Sequence, residues 1–201
     1  MHHIHRTKAF VLKSFQTREA DSSIILLTEE FGVIRATAQG ARKMESKMRQ
    51  SIQDFSLVNV ALVSGRTGWR LVNAGFVKNF YTDMVNEDLR ESVCRVFSLI
   101  NRLIAGEVKD EVIYTETARF LDFSLENQDK FNNQNDILSF EAIFSAAILY
   151  HLGYLKQTKD IEFYLKNQLD FELILKLSQN IVFSQKGMIV EINRAIRDSH
   201  L

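Results

Sequence analysis

The sequence predicts an α+β chain in two parts. A small barrel of five antiparallel strands occupies residues 1–80, and an all-α part occupies residues 81–201. Three observations predict this. Five short runs rich in aliphatic, β-branched and aromatic residues lie between residues 8 and 78, separated by turn signals. From about residue 85 the apolar residues recur every third or fourth position, the helical period. Five of the eight glycines (Gly32, Gly40, Gly65, Gly68 and Gly75) precede residue 80, which suits a turn-rich first part.

The elements follow in order. Segment 8–15 (KAFVLKSF) is a strand rich in Phe, Val and Leu. Segment 22–29 (SSIILLTE) is an apolar run that ends at the turn Glu29-Glu30-Phe31-Gly32. Segment 33–39 (VIRATAQ) alternates partly and stops at Gly40, so 22–39 reads as a hairpin. Segment 55–63 (FSLVNVALV) is a fourth strand, closed by Ser64-Gly65-Arg66-Thr67-Gly68. Segment 69–78 (WRLVNAGFVK) is a fifth, with Gly75 as a candidate bulge. Five short strands in this length favour closure into a barrel, because closure removes exposed edges. An OB-fold and an SH3-like barrel both fit the strand count.

The helical part begins near residues 80–86. Segment 87–105 places Leu89, Val93, Val96, Phe97, Ile100, Leu103 and Ile104 on one face, with Asn86 as N-cap and Gly106 as stop. Segment 110–126 repeats the pattern with Val112, Ile113, Thr117, Phe120, Leu121 and Leu125. The Asn-rich stretch 127–136 reads as a loop. Segment 136–152 is a helix from Asp136 that stops at Gly153. Segment 160–168 is a short helical candidate, 171–183 is ambiguous, and 188–199 is a terminal helix. Packing of Phe140, Phe144, Phe163 and Phe171 is the expected stabiliser of this part.

Composition excludes several classes. The chain has 201 residues, 46% hydrophobic and 10% aromatic, which is globular rather than disordered. Cys94 is its one cysteine, so neither an intramolecular disulfide nor a four-thiolate zinc site can form. With no proline, there is no PxxP ligand or proline-rich linker. No run reaches the ~18 apolar residues of a membrane span, and no apolar core follows the N-terminus. The expected location is cytoplasmic. No Walker loop, GxGxxG or GxSxG occurs, and no nucleophile has an evident base, so no enzyme and no cofactor are expected. His2, His3 and His5 read as a frayed terminus rather than a metal site, His151 as a core histidine and Cys94 as a buried small hydrophobe.

Charge carries the functional signal. The net charge is zero, from 25 Lys+Arg and 25 Asp+Glu. Residues 1–80 hold 12 basic and 6 acidic residues, whereas 81–201 hold 13 and 19. A basic first part suggests a polyanion partner. The loop 40–49 (GARKMESKMR) concentrates Arg42, Lys43, Lys47 and Arg49, with Arg35 just upstream. Lys and Arg neutralise a phosphate backbone and release its counterions. Such a run is, on its own, most often a solvated loop; the asymmetry of the halves favours DNA. Base stacking is the second ingredient of single-strand binding. Phe10, Phe15, Phe31, Phe55, Trp69 and Phe76 are the candidates. Trp69 is favoured because Arg66 and Arg70 flank it. The expected DNA-binding set is Arg35, Arg42, Lys43, Lys47, Arg49, Arg66, Trp69 and Arg70.

An ordered set of short motifs runs through residues 7–80. It comprises Val11-Leu12, Glu19-Ala20-Asp21, Ile24 to Thr28, Gly32, Ala38-Gln39-Gly40-Ala41-Arg42, Ser46-Lys47, Phe55-Ser56-Leu57 and the turn at Gly65. In this order they resemble the N-terminal domain of the RecO family of recombination mediators. The resemblance implies an OB-fold barrel followed by a helical domain, and a non-enzymatic role. It implies binding to single- and double-stranded DNA and annealing of complementary strands. It also implies cooperation with RecR in loading RecA onto DNA coated by single-stranded DNA-binding protein. Docking of that protein's acidic C-terminal tail on the helical part follows from the same resemblance, as does a bacterial, nucleoid-associated location.

There are departures. Leu152-Gly153-Tyr154 matches the start of the family's four-cysteine zinc module, but Leu155 to Gln168 contains no cysteine, so zinc is not expected. Gln39 stands where the family often has a basic residue. The chain is also shorter at its C-terminal end than most members. A protein-interaction adaptor without DNA affinity is the competing reading.

Overall fold

The structure, a computed structural model, describes residues 3–104 and 109–156, with isolated positions 159, 162, 166, 172, 190, 192–194 and 197. Five strands form a closed barrel: β1 (Ile4–Gln16), β2 (Ser22–Thr28), β3 (Gly32–Ala38), β4 (Ser56–Gly65) and β5 (Gly68–Asn79), in the order β1-β2-β3-β5-β4. All neighbours are antiparallel except β3 and β5, which pair in parallel from Ala36↔Trp69 to Ala38↔Leu71. This order, with β1 bridging β2 and β4, is that of the OB-fold and not of an SH3-like barrel. The fold class is α+β, with helices after the barrel.

Strand alternation sets inside from outside. Ala9, Val11, Ile24, Leu26, Ile34, Ala36, Ala38, Val58, Val60, Leu62 and Leu71 fill the barrel. A fully buried Val, Leu or Ile contributes about 1.5–3 kcal/mol. The short helix α1 (Met48–Ser51) leads into the barrel core, where Ile52 is buried and Met48 packs against it. Strand β2 is buried along its whole length. On the outer side, Phe10 pairs with Leu27 across the sheet and lies 6.0 Å from the Phe80 ring and 5.2 Å from the Tyr114 ring.

The strands depart from the expected segments in two places. β1 begins at Ile4, because Ile4 and His5 pair with Val63 and Leu62 of β4. His5 is therefore part of the barrel, not a frayed end, and its ring meets Phe31 and Trp69 edge to face at 5.1 and 5.4 Å. Gly75 is not a bulge. It pairs in register with Asn59, and the register slips instead at Val72 and Val77.

The chain divides into two compact units, Met1–Asp83 with Ile104–Tyr114, and Met84–Leu103 with the residues from Thr115 onward. The helices described in full after the barrel are α2 (Phe80–Asp83), α3 (Glu87–Leu103), α4 (Glu111–Glu126) and α5 (Gln134–His151), with a 3₁₀ turn at Gln128–Lys130. Asn86 caps α3 by accepting the Leu89 N–H at 3.1 Å, as its sequence position predicts. Asp110 does the same for α4 through the N–H groups of Val112 and Ile113. α5 starts two residues before the expected Asp136, because Asn133 accepts the Asp136 N–H at 2.9 Å and acts as its cap. Gly153, at φ 80°, reverses the chain after α5, with Tyr154 N–H returning to the Leu149 carbonyl.

Within the second unit, Phe120 lies 4.7 and 4.6 Å from Phe140 and Phe144, and Phe123 and Phe131 complete the aromatic cluster around Phe140. Phe163 and Phe171 lie outside the described residues, as do Gly106 and nearly all of segments 160–168, 171–183 and 188–199. His151 is exposed at the end of α5 rather than in the core, and Cys94 is half-buried. No helix among the described residues is long and apolar enough to cross a membrane.

Candidate nucleic-acid interface

The basic loop leaves β3 at Ala38 and docks at once on the β1–β2 turn. Gly40 N–H donates to Asp21 Oδ1 at 2.8 Å, and Arg42 N–H donates to the Ala20 carbonyl at 3.0 Å. Arg42 Nη1 donates to the carbonyls of Arg18 and Glu19 at 3.2 and 2.8 Å. Gly40 has φ 64°, which a side chain would strain. Ala41, fully buried, plugs the core beneath. The two motifs Glu19-Ala20-Asp21 and Gly40-Ala41-Arg42, twenty residues apart, thus form one hydrogen-bonded unit. Arg42 belongs to that unit, with its guanidinium committed to backbone carbonyls.

Beyond this base the loop rises to a crest. Lys43 N–H returns to Gly40 O, Ser46 N–H to Lys43 O and Arg49 N–H to Ser46 O, all within 3.2 Å. These successive turns leave Lys43, Lys47 and Arg49 exposed.

A second group of cations lies on the outer face of the barrel. The register puts Lys13, Ile25 and Arg35 in one row across β1, β2 and β3. The next row on the same face is Phe15, Ser23, Thr37 and Arg70, reaching β5. Phe15 is half-buried, with Lys13 Nζ 5.5 Å and Arg35 Cζ 5.8 Å from its ring centroid. Arg66 is exposed in the two-residue turn between β4 and β5. These rows lie toward the barrel end that carries the basic loop.

Trp69 does not share this face. It is 8% exposed, lines the barrel core and lies 5.0 Å from Phe31. The alternation of β5 that turns Arg70 outward turns Trp69 inward, so no base can stack on it while the barrel is closed.

The other outer surfaces differ in character. Phe10 packs against the rings of Phe80 and Tyr114. Across β1, β4 and β5 runs a polar groove of about 490 Å³, where Arg6 and Lys8 are matched by Glu29 and Glu30.

Residues 1–80 match the family described as Recombination protein O N terminal. Two curated relatives extend the match. One, named DNA repair protein RecO, is from Caldanaerobacter subterraneus subsp. tengcongensis and is 27% identical over 75% of this chain. The other bears the same name in Thermoanaerobacter sp. and is 28% identical over 76% of this chain. The chain is similar to the RecO family over its first 80 residues. It spans 58% and 59% of the lengths of these two RecO relatives.

Sequence reasoning about this barrel did not bring Lys13 and Phe15 together with Arg35 on one outer face. Strand period alone cannot fix which face is outward where a bulge intervenes, and the β1 register shifts between Val11 and Lys13. Among the described residues, no three His, Cys, Asp or Glu side chains gather as a metal site requires. The second unit carries a groove of about 340 Å³ on α3 and α5, lined by Leu99, Leu138, Ala142 and Ile192. At its rim Arg95 forks onto Glu141 with contacts of 2.7 to 3.0 Å. Arg102 lines an adjoining hollow with Cys94 and Leu99.

Proposed function

We propose that the chain acts in DNA repair and recombination as a mediator. On this reading it binds single- and double-stranded DNA, anneals complementary strands, and works with RecR to load RecA onto DNA coated by single-stranded DNA-binding protein. It performs no catalysis of its own and acts at the bacterial nucleoid. Residues 1–80 are the DNA-binding domain and 81–201 the partner-binding domain.

One observation carries the reading. One outer surface of the barrel combines the exposed cations Lys13, Arg35 and Arg70 with the half-buried ring of Phe15, and it adjoins the basic loop. An OB-fold holds oligonucleotides on that kind of face, with the β1–β2 and β4–β5 turns at its edges. DNA phosphates then meet Arg35, Arg70, Arg66, Lys43, Lys47 and Arg49, joined by Lys13, while Phe15 offers a base-stacking surface. The balanced charge of the β1–β4–β5 groove and the apolar layer over Phe10 both disfavour a polyanion. Arg42 supports the site by holding the loop, and Trp69 by filling the barrel.

The groove on α3 and α5 suits the acidic tail of the single-stranded DNA-binding protein. Apolar walls would take a hydrophobic tail end, with Arg102 in the adjoining hollow.

The test is salt dependence. The full chain should bind a single-stranded oligonucleotide with a log–log salt slope of roughly −3 to −4 when about five of these cations meet phosphates at once. Affinity that ignores salt, or no binding at low salt, contradicts the proposal.

A further inference from the structure

We propose that Met44 is a wedge that enters between stacked bases of the DNA held by the loop. The inference rests on the crest being a phosphate-binding surface. Met44 is 89% exposed, the most exposed large apolar side chain among the described residues. It occupies the second position of the turn that Ser46 N–H closes on the Lys43 carbonyl at 3.0 Å, which is the corner of a crest. The base beneath that corner is tied to the β1–β2 turn through Gly40, Arg42 and Asp21.

The same loop tucks its other methionine partly inward. Met48, four residues on, packs against the barrel core. One methionine anchors the loop and the other is displayed.

The neighbours of Met44 specify the occupant. Lys43, Lys47 and Arg49 are exposed around it, against the single acid Glu45. A protein partner that wanted only an apolar contact would not need three cations beside it; a polyanion with flat apolar faces between its charges does. Nucleic acid has that chemistry. Proteins that unstack DNA insert an apolar side chain, Met included, between base planes while cations hold the flanking phosphates. The unbranched, polarizable side chain of Met is thin enough to slide between bases and adapts to their spacing. An unstacked step is also one whose bases are turned away from their own strand, which suits a protein that brings complementary strands together.

The experiment uses the full chain and an oligonucleotide with 2-aminopurine at one internal position, whose fluorescence rises when it loses its stacking neighbours. Anisotropy of the same strand with an end label reads affinity in parallel. Binding of the wild-type chain should raise the 2-aminopurine signal severalfold. Met44→Ser should keep affinity within about fivefold, because insertion and unstacking largely offset each other, and should abolish the rise. Met44→Leu should keep both. Binding without a rise, or a rise that survives Met44→Ser, overturns the wedge. Absence of binding in the anisotropy arm overturns the DNA reading itself, and the wedge with it.

Discussion

Arg42 and Lys43 are neighbouring cations on one loop, and the chain uses them differently. Arg42 turns back onto the carbonyls of Arg18 and Glu19 and stands half-buried. Lys43 begins the exposed crest that runs to Arg49. The barrel repeats the contrast with aromatic rings. Trp69 is enclosed with Phe31 and His5, while Phe15 lies on the outer face between Lys13 and Arg35. Residue type therefore does not divide binding groups from structural ones. On the proposed reading the place of each side chain in the fold does: groups enclosed in the barrel or tied to backbone carbonyls hold the site in place, and groups on the outer surface meet DNA.

The largest effect expected from this division is on the crest. Reversing charge at Lys43, Lys47 and Arg49 should weaken DNA binding by about a hundredfold or more while the melting temperature stays unchanged. Survival of binding would remove the crest from the site.

The base should respond the other way. Arg42→Ala removes bonds to two carbonyls and should cost about 1–2 kcal/mol of stability, read as a lower melting temperature. DNA affinity should fall far less than for the crest. An unchanged melting temperature with lost affinity would break the division, because Arg42 would then be a phosphate ligand.

A smaller effect concerns Asp54, a carboxylate that likewise accepts a backbone N–H. Asp54 accepts the Ser14 N–H at 2.7 Å. Burial pushes its carboxyl above the usual carboxylate range, and the Ser14 N–H and the Lys13 charge only partly oppose this. The folded chain thus keeps this proton to higher pH than the unfolded chain, and stability falls as pH rises through that window. Asp54→Asn keeps an acceptor for Ser14 without the charge. It should melt slightly higher than wild type at neutral pH, and the difference should vanish as pH falls below the carboxylate range. A difference that grows in acid would contradict this assignment.

Much of this was legible beforehand, for identifiable reasons. The barrel strands are dense in apolar residues and bounded by glycine turns, so their number and order could be read, and the parallel β3–β5 pair then separated OB-fold from SH3-like barrel. The N-cap of α3 and the stop at Gly153 are local chemistry, visible in a few residues. The start of α5 was missed because Asn133 sits in an Asn-rich run where several residues could cap. The site was legible as charge but not as geometry. The β1 bulge after Val11 sets the faces that Lys13 and Phe15 occupy. The inward turn of Trp69 depends on the β5 register, which no flanking arginine reveals. The engagement of Arg42 depends on a turn twenty residues earlier in the chain.

The central claim is that the exposed crest, and not the loop's charge as a whole, holds phosphates. The most direct measurement is the salt slope of single-strand binding for the wild-type chain beside a Lys43→Ala, Lys47→Ala, Arg49→Ala variant. Losing three phosphate contacts should make the slope shallower by about 2. A variant that keeps the wild-type slope would contradict the claim.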